Sequence, residues 1–135
     1  MSRETNFPNG IKTFPRATAN TKVKTAAYTV LAADCIGSTI IVDSDSAVTI
    51  TLPLIAGAVD GGIVTIVNNK DGQLLTIDPN AADGINFGDQ VADGVTVVST
   101  AATAKKGDFI KLATLTSAST YWSVVDIQGV WAVGA

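Results

Sequence analysis

The sequence predicts an all-β fold: a compact antiparallel β-sandwich or barrel, jelly-roll-like, with an extended N-terminal arm. Three observations lead there. The 135 residues include 17 Thr, 15 Val and 12 Ile, about a third of the chain. Such β-branched side chains are stiff at the first torsion and pack well on a pleated surface. Leu is scarce at 7 and there is one Glu, so two strong helix formers are nearly missing. Asp-Gly pairs recur at 60–61, 71–72, 83–84 and 93–94, and Asp-Gly supplies the positive-φ residues that tight hairpin turns need. The length fits one domain around a single core.

Charge divides the chain at about residue 27. Residues 1–27 carry Arg3, Lys12, Arg16, Lys22 and Lys24 against Glu4, a charge of +4. Residues 28–135 carry four Lys against eleven Asp, a charge of −7, and the two parts give the −3 of the whole. The first part holds Pro8, Asn9-Gly10 and Pro15 with no periodic apolar face, and reads as an extended basic arm outside the core. The second reads as a single β-rich domain.

Within 28–135 the strand candidates are 39–43, 47–52, 63–68, 74–78, 95–100, 108–116 and 120–127. The run Val48-Thr49-Ile50-Thr51-Leu52 alternates cleanly, with Val48, Ile50 and Leu52 on one face and both Thr on the other. Pro53 ends it, having no N–H for a ladder. Residues 54–59 are the one place for a helical turn. Several strands carry apolar residues on both faces, among them Ile40-Ile41-Val42, Ile63-Val64-Thr65-Ile66-Val67 and Val95-Thr96-Val97-Val98. An antiparallel sheet usually wets one face, so a second apolar face calls for cover from a second sheet, from loops or from another subunit.

The sequence has no His and a single Cys, Cys35. That excludes imidazole bases, His-containing triads, His-ligated zinc and an intrachain disulfide. The expectation is a protein that is not an enzyme, with no catalytic, cofactor-binding or metal-binding residues. No run approaches the roughly 18–20 apolar residues of a membrane helix, and the polar start has no secretory signature. The chain is therefore expected to be made in a cytoplasm and to work without membrane contact.

A few motifs admit two readings each. Asp43-Ser44-Asp45-Ser46 could ligate a hard cation, but Asp and Ser are ordinary turn residues. Asn68-Asn69-Lys70-Asp71-Gly72 has the look of a ligand loop but reads as a hairpin turn with an αL-tolerant Asn and Gly. Cys35 is a small buried hydrophobe or half of an intersubunit disulfide. Trp122 and Trp131 are core residues or a carbohydrate platform. In the arm, Phe7 and Phe14 each sit beside a proline, and Arg3, Lys12 and Arg16 are spaced rather than clustered. With an acidic body and no stacking platform, this pattern suits docking on an acidic protein surface rather than on nucleic acid.

The ordered set Tyr28-Thr-Val-Leu-Ala-Ala-Asp34, Gly37-Ser-Thr-Ile-Ile-Val-Asp-Ser44, Val48-Thr-Ile-Thr-Leu-Pro53, Gly62-Ile-Val-Thr-Ile-Val-Asn68, Leu75-Thr-Ile-Asp78, Tyr121-Trp122-Ser-Val-Val and Gly129-Val-Trp131 resembles a β-rich module of tailed-bacteriophage virion proteins. That module occurs in capsid decoration (cement) proteins, head fibres and tail-fibre segments. The resemblance implies a structural role on the capsid exterior. A homotrimer would clamp major capsid protein subunits, with Arg3, Phe7, Lys12, Phe14 and Arg16 as the capsid-binding arm. It carries no catalytic residues over. With no shaft and no repeat array, decoration is expected over the alternative, a head- or tail-fibre module that recognises a host surface or glycan.

Overall fold

A computed structural model describes residues 21–80, 82–87, 94–116 and 119–134. The described residues form an all-β sandwich of two packed sheets. Its strands are β1 (Thr21–Lys24), β2 (Tyr28–Thr29), β3 (Ile36–Val42), β4 (Val48–Thr51), β5 (Ile63–Asn68), β6 (Leu75–Asp78), β7 (Gly84–Asn86), β8 (Val97–Ser99), β9 (Phe109–Ala113), β10 (Tyr121–Gln128) and β11 (Trp131–Val133). One sheet has the order β1-β3-β5-β9-β10-β7 and the other β11-β8-β6-β4-β2. Two short 3-10 turns accompany them, one of which, Ile55–Gly57, lies inside the predicted helical stretch.

The expectation of an antiparallel, jelly-roll-like arrangement is corrected by the strand directions. β1, β3 and β5 run parallel, as do β2, β4 and β6, and β7 runs parallel to β10. Only the pairs β5–β9, β9–β10, β6–β8 and β8–β11 are antiparallel. The reason is the path of the chain. From β1 to β9 each link carries it across the core into the opposite sheet. The next neighbour in a sheet is then the strand one circuit later, running in the same direction. The pairs β1β2, β3β4 and β5β6 thus form three coils of a short solenoid, which β8 and β9 terminate by running the other way. Parallel neighbours need a long crossover, and here the crossover is a strand of the facing sheet.

Asp-Gly punctuation keeps its conformational role at Gly61, Gly72 and Gly94 but not at Gly84, which opens β7, and it loses its hairpin role. Gly61 and Gly72 have φ of +70° and +73°, as the sequence expects, yet Gly72 lies between β5 and β6, in different sheets. The segment 21–24, assigned to the arm by charge, is an edge strand in parallel register with β3. Its signal was the alternation of Lys22 and Lys24 with Thr21 and Val23. The lysines share the inward side with their partners Ile40 and Val42.

The core lies between the sheets. Ile40, Ile66, Ile110 and Leu112 from one sheet and Ile50, Leu75, Ile77 and Val97 from the other are buried, and Trp122 is fully buried with them. Burying each such aliphatic side chain contributes about 1.5–3 kcal/mol. In β4, Val48 and Ile50 point inward, and so does Leu52 just beyond it, while Thr49 is exposed, as the alternation predicts.

Candidate functional site

The register fixes what each sheet shows to solvent. On the outer face of the six-stranded sheet one row across the strands reads Val23, Ile41, Val67, Phe109 and Gln128. The next reads Thr21, Thr39, Thr65, Lys111 and Asp126, and a third reads Ile36, Ile63, the buried Ala113, Ser123 and Asn86. Val23 and Ile36 are 60% and 63% exposed, and Ile41, Ile63, Val67 and Phe109 are partly exposed. The outer face of the five-stranded sheet is different: its rows are Thr29, Thr51 and Asp78, then Thr49, Thr76, Val98 and Ala132. One face is a threonine ladder suited to water. The other alternates apolar rows with a polar one, in which Thr21, Thr39 and Thr65 run on into Lys111 and Asp126. Exposed apolar side chains such as Val23 and Ile36 on one sheet face are the kind of surface that association covers. Of the double-sided apolar runs, 40–42 and 63–67 are strands of this same sheet, whereas Val97 and Val98 of the third belong to β8 of the five-stranded one.

A second constellation closes the β1 end of the sandwich. Lys22 Nζ lies 2.6 Å from Asp34 Oδ1 and donates to the Tyr28 hydroxyl at 3.2 Å. The Tyr28 hydroxyl donates to Asp34 Oδ2 at 2.7 Å, and the Leu31 N–H donates to that oxygen at 3.0 Å. Lys24 Nζ sits 3.8 Å from the Tyr28 ring centroid, a cation–π contact. Burial pushes the Asp34 carboxyl up, but hydrogen bonds from Lys22, Tyr28 and the Leu31 N–H outweigh it and hold the pKa below its ordinary 3.8. The Asp34 hydrogen bond raises Lys22 above 10.5, and burial followed by Asp34 raises Tyr28 above 10.0. Inward-pointing charge on an edge strand also discourages edge-to-edge pairing.

A third constellation joins the loops β3–β4 and β5–β6. Lys70 Nζ pairs with Asp45 and lies 3.9 Å from Asp43, which also accepts from Asn69 Nδ2 at 3.0 Å. Ser46 N–H donates to Ser44 Oγ at 3.1 Å. Of the two readings of residues 43–46, the geometry is that of an ion-paired turn, because the Lys70 ammonium already serves these carboxylates. No group of three metal-ligating side chains is present among the described residues. The loops border a cavity of about 160 Å³. Gln73, which lines it, is buried; its Nε2 donates to Ser46 O at 2.6 Å and Leu74 O at 3.0 Å, and its Oε1 has no partner among the described residues. A buried acceptor left this way costs about 1–3 kcal/mol.

The predicted arm contacts Arg3, Phe7, Lys12, Phe14 and Arg16 lie outside the described residues. Trp122 and Trp131 are both buried in the core, and Trp131 Nε1 donates to Gln128 O at 2.9 Å. The carbohydrate-platform reading of these two residues is therefore set aside. Cys35 is fully buried, its thiol donates to Leu31 O at 3.6 Å, and burial raises its pKa to about 11. A disulfide to another copy would require it to leave the core. Asp83 and Asp108, buried beside turns, accept from the N–H groups of Ile55 and Lys105 at 2.9 and 2.8 Å. The Lys22–Tyr28–Asp34 cluster and Gln73 escaped sequence reasoning. Their partners are set by strand register and loop packing, which no local spacing encodes.

Comparison with protein-family models, with curated proteins and with solved structures finds no match for this chain.

Proposed function

We propose that the protein is a structural virion subunit, a capsid decoration protein that binds the outside of a phage head as a homotrimer and clamps major capsid subunits. The observation that carries this reading is the set of apolar side chains on the outer face of the six-stranded sheet, Val23, Ile36, Ile41, Ile63, Val67 and Phe109, against Val98 and Ala132 in the outer rows of the five-stranded one. A small body with one such face gains by burying it against other subunits. The resemblance of residues 28–131 to phage virion modules supplies the class of assembly. The basic segment with Phe7 and Phe14 supplies a second contact of opposite charge to the body.

The physical role is additive. A subunit that binds the assembled shell and not its separated parts stabilises the shell by linkage. Attachment at three points raises avidity above that of one segment. Quantitative mass spectrometry of purified virions tests the reading, with an expected ratio near one copy per major capsid subunit. A few copies per particle would favour a fibre, and absence from the particle would overturn the virion role. Deleting residues 1–20 is expected to leave a folded body that no longer binds heads.

A further inference from the structure

The end of the six-stranded sheet at which β3 and β5 begin carries an apolar patch outside the core. Ile36 and Ile63 are neighbours in an outer row there. The turn before β5 adds Val59 and the stretch after β9 adds Leu115, which are 53% and 63% exposed. Hydrogen bonds tie these pieces together. Gly61 N–H donates to Thr114 O at 2.6 Å, Thr114 Oγ1 donates to Val59 O at 2.6 Å, and Ile63 N–H donates to Cys35 O at 2.9 Å. With Ile36, Val59 and Leu115 each more than half exposed, the patch is a surface that a further apolar side chain would cover.

The register of β1 directs the preceding chain to this place. Thr21 pairs with Thr39 in parallel, so the chain before Thr21 comes in at the end of β3 that carries Ile36. From Thr21, Ile36 lies one strand spacing to the side, roughly 4.8 Å, and three residues further along, roughly 10 Å. We propose that the patch is the docking site of the chain's own N-terminal segment, with the Phe14 ring seated on Ile36 and Ile63. Among residues 1–20, Phe14 is the large apolar side chain closest to Thr21. The seven-residue link between them spans up to about 23 Å, which brings both isoleucines within reach. A tether this short gives an effective concentration on the order of millimolar, above that of a second copy in dilute solution. Charge favours the same occupant: residues 1–20 carry Arg3, Lys12 and Arg16 against Glu4, and residues 21–135 carry six Lys against eleven Asp, with Asp60 in the turn beside Val59. The inference concerns the isolated subunit and stands independently of the capsid role.

The test is limited trypsin digestion of the full chain at several protein concentrations, with mass spectrometry to follow the cut after Arg16. Docking of Phe14 protects that bond, equally at every concentration. Phe14→Ala should speed the cut at least about fivefold, since the anchor's burial is lost. Ile36→Asp, at an exposed position, should do the same from the other side of the contact. Val130→Asp, comparably exposed but beyond the opposite end of the sheet, should leave the rate unchanged. An unchanged rate in either Phe14→Ala or Ile36→Asp overturns the inference, and so does equal acceleration by all three. Protection that grows with protein concentration also overturns it, because the occupant is then a second copy.

Discussion

Asp34 is the residue on which the β1 end of the molecule turns. Its pKa is lowered in the folded state, so its contribution is fully present above the ordinary carboxylate value and is lost as pH falls through the lower native value. Chemical denaturation across the acid range should therefore show stability declining below about pH 4, and Asp34→Asn should flatten that decline. Lys22 and Tyr28 have raised values, so their contribution is present below their ordinary pKa values and is lost as pH rises above about 10. Gly129 is a second pivot. Its φ is +97°, and a Cβ there would clash with the Asp108 carboxylate. Gly129→Ala is expected to cost about 2–4 kcal/mol by denaturant titration, from backbone strain and the clash together. At this scale the sequence was legible where a residue's own chemistry decides. Cys35 as a buried hydrophobe and Asp residues as turn caps follow from type alone. The partner of Asp34 does not, because Lys22 reaches it only through the pairing of β1 with β3.

Strands were legible where alternation or a β-branched run was strong, as in β4 and β5. The strands missed were β1, β2, β7 and β11, each two to four residues long. Such pieces hold too few positions for a period to register, and tertiary pairing defines them. Strand direction was not legible either, since Asp-Gly fixes a backbone turn but not the sheet the chain enters next. Neighbours in β3 separate the two uses of an apolar side chain. Ile40 is fully buried, and Ile40→Ala should cost about 2–5 kcal/mol of unfolding free energy. Ile41→Thr, on the outer face, should change the isolated subunit by less than about 1 kcal/mol while weakening self-association, read by sedimentation at several concentrations. Equal effects of the two substitutions would count against separate roles for the two faces.

For the molecule as a whole, the two outer faces make a directional object. Light scattering should show an oligomer that Val67→Lys reduces to smaller species with an unchanged far-ultraviolet spectrum. A monomer at all concentrations would remove self-association from the proposed role. Two of the three double-sided apolar runs, 40–42 and 63–67, lie on the face that carries Val67, and the third, 95–98, lies in the other sheet. The position of that face on the six-stranded sheet required the register.

The circuit of the chain through both sheets also determines how the protein carries load. The segment before Thr21 enters at the outermost coil, held by a four-residue parallel ladder and by the grip of Asp34 on Lys22 and Tyr28. A pull on that segment meets this coil first, while the Ile40–Ile66–Ile110 layer lies further along the line of force. Repeat-like stacks yield unit by unit. Releasing residues 21–35 would pay out about 50 Å of extended chain with β3 to β6 still paired. The outer coil is thus the unit expected to open first under load, its opening exposing Val30 and Cys35 of the core.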